Sequence, residues 1–197
     1  MALSYFGPTG ASGDDDNGSK HQLNWLNTTF VCPGTGNQIL KELSVYCKIG
    51  ANYPEIRVGI YTAAGALVAQ GTALVTVTGS SYSWQGHLVV TNITPNPCVL
   101  TGGTAYRLAY YTTVNDTCTS QYETGGTNAG SYLVDTNYSA SLPATFPSPT
   151  GSWTGMWNIR AGVEAQGAAA IGPSGAIVSA EDVDGAAMMR GTIQSEV

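Results

Sequence analysis

Charge is what this chain has least of. Asp, Glu, Lys and Arg make up 10% of its 197 residues, against about 25% in an average soluble protein. The polar surface must therefore come from Thr, Ser, Asn and Gly, a composition that suits extracellular modules and virion shells better than cytosolic enzymes. The seven Lys and Arg stand singly and the net charge is −6. That distribution contains no basic stripe of the kind nucleic-acid binding needs, and its acidic balance disfavours anionic membranes. No apolar run approaches the ~18 residues of a spanning helix, so no membrane insertion is expected.

Histidine is scarce too, with His21 and His87 alone. His87 falls on the strand face opposite Trp84 and Leu88, so it is expected to face solvent, and neither histidine reads as a catalytic base. The chain has no Gly-x-Ser-x-Gly elbow and no Gly-x-x-x-x-Gly-Lys-Ser/Thr phosphate loop. The acids Glu42, Glu55, Asp116, Glu123, Asp135 and Glu164 are dispersed, whereas a glycosidase needs two carboxylates across one sugar. A non-enzyme is expected. The opening Met1-Ala-Leu-Ser-Tyr-Phe-Gly7 lacks the basic start and apolar core of a secretory leader. The expectation is either a removed leader or a protein that leaves the cell inside an assembled particle.

No Cys-x-x-Cys pair exists among Cys32, Cys47, Cys98 and Cys118, which removes the usual zinc pattern. Cys32 and Cys98 each lie shortly before a strand, and Cys47 and Cys118 each lie near a strand end. Disulfides 32–98 and 47–118 are expected on that parallel, with small buried thiols as the alternative reading.

What the chain does have is period-two alternation. In Ile56-Arg-Val-Gly-Ile-Tyr-Thr62, Ile56, Val58 and Ile60 alternate with Arg57, Gly59 and Tyr61, the pattern of a strand with one buried and one wet face. The same alternation recurs at Tyr106–Tyr110 and Trp153–Ala161. Strands are expected at 21–30, 38–48, 56–62, 66–77 (broken near Gly71), 82–91, 104–112, 117–123 and 153–165, with a further short one at 131–134. Turn residues such as Pro33-Gly34, Gly79-Ser80 and Gly102-Gly103 separate them. This spacing predicts an all-β chain, an antiparallel two-sheet β-sandwich of jelly-roll-like form with extended N- and C-terminal arms. The expected core is Leu43, Val45, Ile56, Val58, Ile60, Leu88, Val90, Leu108, Trp157, Ile159 and Val163.

Three segments follow. Residues 1–19 are a Gly/Asp-rich arm, residues 20–165 the sandwich, and residues 166–197 a Gly/Ala-rich C-terminal arm unable to build its own core. In the first arm, Asp14 and Asp16 of Asp14-Asp-Asp-Asn-Gly18 are candidate oxygen ligands for Ca²⁺, or else part of a solvated acidic turn. In the last, Ile177, Val178, Met188 and Met189 are apolar residues with no local core, and so are the candidate assembly interface. Around the long loop after residue 124, the flat rings of Tyr122, Tyr132, Tyr138 and Trp153 lie beside Asn and Asp, the combination a glycan platform uses. The same rings also serve as ordinary sandwich packing.

The order of these elements resembles a known type of domain. A Pro-Gly turn is followed by Leu43-Ser-Val-Tyr46, then Ile56-Arg-Val-Gly-Ile-Tyr-Thr62, then a strand bearing Trp84. Val99-Leu-Thr-Gly-Gly-Thr-Ala-Tyr-Arg-Leu-Ala109 comes next, then Leu142-Pro-Ala-Thr-Phe-Pro-Ser-Pro149, and finally a Trp157-Asn-Ile-Arg-Ala161 strand. Over residues 21–165 this resembles β-sandwich domains of tailed-phage structural proteins (head decorations, fibres and tail-associated proteins) and of bacterial surface proteins. The resemblance implies a non-enzymatic role in building or binding. The expected function is a virion structural protein displayed on the particle surface, a capsid decoration or head-fibre component. Its partners would be other capsid or fibre subunits, including copies of itself. The alternatives are a carbohydrate-binding adhesin module that takes a cell-surface glycan, and an extracellular or cell-surface filament subunit that donates its arm to the next copy.

Overall fold

The computed structural model describes residues 2–8, 14–18, 22–49, 54–113, 118–124, 129–134, 141–167, 170–171 and 177–178. Of 14–18, 118–119, 121, 124, 170–171 and 177–178 it describes the backbone alone. The strands are β1 (Ser4–Phe6), β2 (Asp14–Gly18), β3 (Gln22–Leu26), β4 (Phe30–Val31), β5 (Asn37–Ile49), β6 (Glu55–Thr62), β7 (Leu67–Gly71), β8 (Val75–Thr76), β9 (Ser83–His87), β10 (Ile93–Thr94), β11 (Val99–Thr101), β12 (Ala105–Thr112), β13 (Cys118–Thr124), β14 (Gly130–Val134), β15 (Gly151–Trp153), β16 (Gly155–Trp157), β17 (Ile159–Ala165), β18 (Ala170–Ile171) and β19 (Ile177–Val178).

Sheet A runs β1-β17-β5-β13-β16, with β2 added on β13 and with β9 and β11 on β5. Sheet B runs β10-β7-β6-β12-β3-β14-β15, with β4 on β12 and β8 on β6. The pairings within both are antiparallel. The protein is an all-β antiparallel sandwich. Its core is the alternate residues of facing strands: Leu43, Val45 and Cys47 of β5 and Ile159, Ala161 and Val163 of β17 meet Ile56, Val58 and Ile60 of β6 and Leu108 and Tyr110 of β12. Burying these side chains supplies the main favourable term in folding.

The outer face of sheet B is not wet. Arg57 and Tyr61, on the side of β6 expected to meet solvent, are both buried. Residues 141–150 lie across that face as a strap. Leu67 N donates to Ala144 O at 2.8 Å, Phe146 N to Gly65 O at 3.1 Å, and Thr150 N to Tyr132 O at 2.8 Å. Phe146 stacks on Tyr61 at 4.1 Å and on Trp25 at 5.2 Å. Leu142 completes a second apolar cluster with Leu23, Trp25, Tyr61 and Tyr111. The strap repeats on the outside of sheet B the covering that sheet A gives its inside.

The N-terminal stretch, expected as an extended Gly/Asp-rich arm, is in part built into the sandwich. Ser4–Phe6 is an edge strand on β17, with Tyr5 opposite Gly162 and Phe6 opposite Ala161. Phe6 is buried and joins the main core. Gly7 follows at φ 113°, and a Cβ there would lie 2.2 Å from Ile159 O, so only glycine lets the chain pass this close. The backbone of Asp14–Gly18 pairs with β13.

Two expected core residues are outside. Leu88 is 50% exposed and Val90 partly exposed, because the strand ends at His87 and the chain turns through a 3-10 segment at Val90–Asn92. Met1–Ala165 forms one compact unit and Gln166–Val197 a second. In the second unit the described backbone is the antiparallel pair β18–β19, with Ala170 opposite Val178 and Ile171 opposite Ile177.

Candidate functional site

The outer face of sheet A carries the densest group of recognition-type side chains. Along β5, residues alternate between core and outside, so Glu42, Ser44, Tyr46 and Lys48 share the outer side. Register places Arg160 of β17 opposite Ser44, Trp84 of β9 opposite Tyr46 and Tyr5 of β1 opposite Gly162. The result is a row across four strands. The Arg160 guanidinium sits 4.1 Å from the ring centroid of Tyr5 and 4.1 Å from that of Trp84. Trp84 packs on Tyr46 at 5.2 Å, Tyr46 stacks on Tyr82 at 5.8 Å, and Lys48 Nζ lies 4.3 Å over the Tyr82 ring. Cation–π contacts of this kind contribute about 0.5–1 kcal/mol each where exposed and more where desolvated.

Glu42 organises the row from below. It is 5% exposed. Its Oε1 accepts from Arg160 Nε at 3.0 Å and Nη2 at 2.8 Å and from the Ser44 hydroxyl at 2.7 Å. Its Oε2 accepts from the Tyr5 hydroxyl at 3.1 Å. Burial, and then the Glu42 charge, push the Tyr5 phenol above its ordinary range. A second ion pair, Lys41 with Glu164 at 3.5 Å, lies on the same two strands. The Arg160 guanidinium thus lies over one face each of Tyr5 and Trp84, and Lys48 over one face of Tyr82. Tyr5 is the most open of these rings, 40% exposed, while Tyr46, Tyr82, Trp84 and Arg160 are half-buried.

The residues expected to hold a glycan are only partly brought together. Tyr122 and Trp153 meet edge to face at 5.0 Å, and Trp153 meets the core residue Trp157 at 6.0 Å. Tyr132 pairs across from Gly151 and leans on the main core. Tyr138 lies outside the described residues. The candidate calcium segment, Asp14–Gly18, is extended strand on β13 rather than a turn or loop, and the Asp14 and Asp16 side chains are outside the described residues. Among the described residues no group of three or more His, Cys, Asp or Glu gathers as for a metal ion. Of the expected interface residues, Ile177 and Val178 form the short strand β19, while Met188 and Met189 lie outside the described residues.

The 32–98 disulfide is not formed. Cys32 and Cys98 are buried free thiols in the main core, and burial pushes Cys98 up to about 11 and raises Cys32. Cys47 is buried in the same core, and the 47–118 pairing turns on the Cys118 side chain, which lies outside the described residues. The expectation that His87 faces solvent is overturned, since it is 1% exposed. The larger ring, Trp84, points outward into the cation–π row, which turns His87 inward. His87 accepts the Val58 N–H on Nε2, while its Nδ1 is buried without a partner.

The sheet A row was missed by sequence reasoning, which looked for binding aromatics in the loop. Its signal is Glu42-x-Ser44-x-Tyr46-x-Lys48, a polar and aromatic register opposite the apolar one, with Tyr82-x-Trp84 as its partner. No protein family, curated protein or solved structure matches this chain significantly.

Proposed function

We propose that this protein is a non-enzymatic structural component of a particle surface, of the head-decoration or head-fibre kind, and that the outer face of sheet A is its contact surface. One observation carries the reading: Tyr5, Arg160, Trp84, Tyr46 and Tyr82 stand in one row on a single sheet face. Tyr, Trp and Arg are the residues enriched at the energetic centres of protein interfaces. The opposite sheet spends its outer aromatics on holding the strap, so the two faces differ in kind. The segment after Ala165, a unit separate from the sandwich, suits attachment to a neighbouring subunit.

The test is assembly state. Light scattering and electron microscopy would compare the full chain, Trp84→Ser and a truncation after Ala165, with circular dichroism to check the fold. The full chain is expected to form oligomers or to coat a particle from its source, and both variants to stay folded and lose this. Unchanged assembly in both would reject the reading.

A carbohydrate-binding role keeps one specific observation in its favour, the meeting of Tyr122 and Trp153 at 5.0 Å with both rings only partly buried. It predicts a glycan-array signal abolished by Trp153→Ala. A blank array removes it.

A further inference from the structure

Among the described residues, the outer face of sheet B buries a positive charge with no carboxylate beside it. Arg57 projects from β6 beneath the strap and is 6% exposed. A guanidinium keeps its proton under all ordinary conditions. Burying one is costly unless a carboxylate or several acceptors meet it. Among the described residues Arg57 meets one acceptor, the Ser141 hydroxyl, with Nη1 donating at 3.3 Å. Its Nε is buried with no hydrogen-bond partner, and neither ion pair described above involves it. Its cross-strand neighbour is Tyr111, which belongs with Leu142 and Leu23 to the apolar cluster under the strap.

Two further facts bear on this spot. His87 also buries a nitrogen, Nδ1, without a partner, and the Arg57 charge, after burial, helps to hold its proton affinity down. Ser141 is exposed as a residue, and its contact with Arg57 is part-buried. The one partner of this deep cation is thus a residue near the surface that can give a further hydrogen bond.

We propose that Arg57 and Ser141 form a binding site for a small oxyanion of the carboxylate or phosphate type, held against the Nε side of the guanidinium. A planar guanidinium matches two-oxygen groups through paired N–H donors, which a spherical halide cannot use. The Ser141 hydroxyl, which accepts from Nη1, still has its own proton to donate. The occupant replaces the carboxylate that a buried arginine ordinarily has beside it. The site is independent of the assembly role, because it lies on the other sheet.

Thermal melting of the full-length protein tests this, with phosphate, sulfate and acetate titrated against chloride at constant ionic strength. A saturable rise is expected with the oxyanions, about 3–5 °C at ten times the Kd, and none with chloride. Arg57→Met keeps the length and removes the charge. It is expected to melt at or above the wild type without oxyanion and to lose the response. If that variant fails to fold, Arg57→Lys keeps the charge without the fork and should bind about tenfold or more weakly. The His87 titration gives a second readout by NMR, with His21 as internal control. Sulfate should raise the His87 pKa from about 4, because the new negative charge offsets Arg57. No saturable rise, an equal rise with chloride, a rise that Arg57→Met retains, or an unmoved His87 titration under saturating sulfate would each overturn the site.

Discussion

His87 Nε2 accepts the backbone N–H of Val58 at 3.3 Å, joining the two sheets through the interior. The imidazole belongs to β9 of sheet A and the amide to β6 of sheet B. On that side of β6, β7 pairs from Gly59 onward and β8 pairs up to Ile56. Val58 falls in the interval between these pairings, where the backbone needs an acceptor that no strand supplies. The histidine provides it.

The burial of this imidazole makes stability depend on pH with a definite sign. Burial first, and Arg57 second, lower the His87 pKa from 6.5 to about 4. A histidine whose folded pKa lies below its unfolded value contributes fully above the unfolded value. That contribution is lost as the pH falls toward the folded one. Stability should therefore drop between about pH 6.5 and 4, by about 3 kcal/mol in all. Urea unfolding at about pH 7.5, 6 and 5 measures it, taken as the difference between the wild type and His87→Gln, which cannot titrate. Parallel curves for the two proteins would show that His87 is not the group responsible.

Gly71 makes room for the same imidazole. A Cβ on Gly71 would lie 1.9 Å from His87 Cε1 and Nε2. Gly71→Ala should cost about 1–3 kcal/mol through overpacking. His87→Ala in the same chain should remove most of the steric part, so the two changes will not add. Chemical denaturation of the single and double variants supplies the cycle, and simple additivity would refute the contact.

The Glu42–Arg160 pair should behave as a unit. Arg160→Met leaves a carboxylate buried without its partner, at a cost of about 3 kcal/mol. Glu42→Gln added to it should recover much of that loss, since a neutral amide can still hydrogen-bond to Tyr5 and Ser44. Thermal melting of the single and double variants is the check. A double variant no more stable than Arg160→Met would mean that the aromatic contacts of Arg160, not its charge, dominate.

Much of the sandwich was legible in the sequence because alternation is a local signal. Ile56, Val58 and Ile60 announce their strand, and Gly71 the break in the next one, within a few residues. What was not legible depends on distant partners. Arg57 and Tyr61 read as solvent-facing because nothing near them says that Leu142 and Phe146 will cover them. Tyr5 and Phe6 read as part of a Gly/Asp-rich arm because Gly7, Gly10 and Gly13 follow them, and only the edge of β17 gives them a place. His87 read as solvent-facing because it alternates against Trp84 and Leu88, but it is Trp84 that lies outside. Its outward position needs Arg160, far along the chain, to stack on it, and once Trp84 points out His87 must point in. The contact row was missed for the same reason, since its members come from four separate strands.

β5 deserves a last consequence. Its thirteen residues pair in part with β17, in part with β13, and also with β9 and β11. Inserting one residue after Ser44 would send Tyr46 and Lys48 inward and Cys47 and Ile49 outward, because side chains alternate faces. It would also force β9 and β13 to choose between their hydrogen bonds and their own inward faces. Sheet A is thus a shared frame of reference rather than a set of independent strands. Evolution or an engineer can lengthen its loops one at a time, but can edit β5 only by rewriting its neighbours along with it.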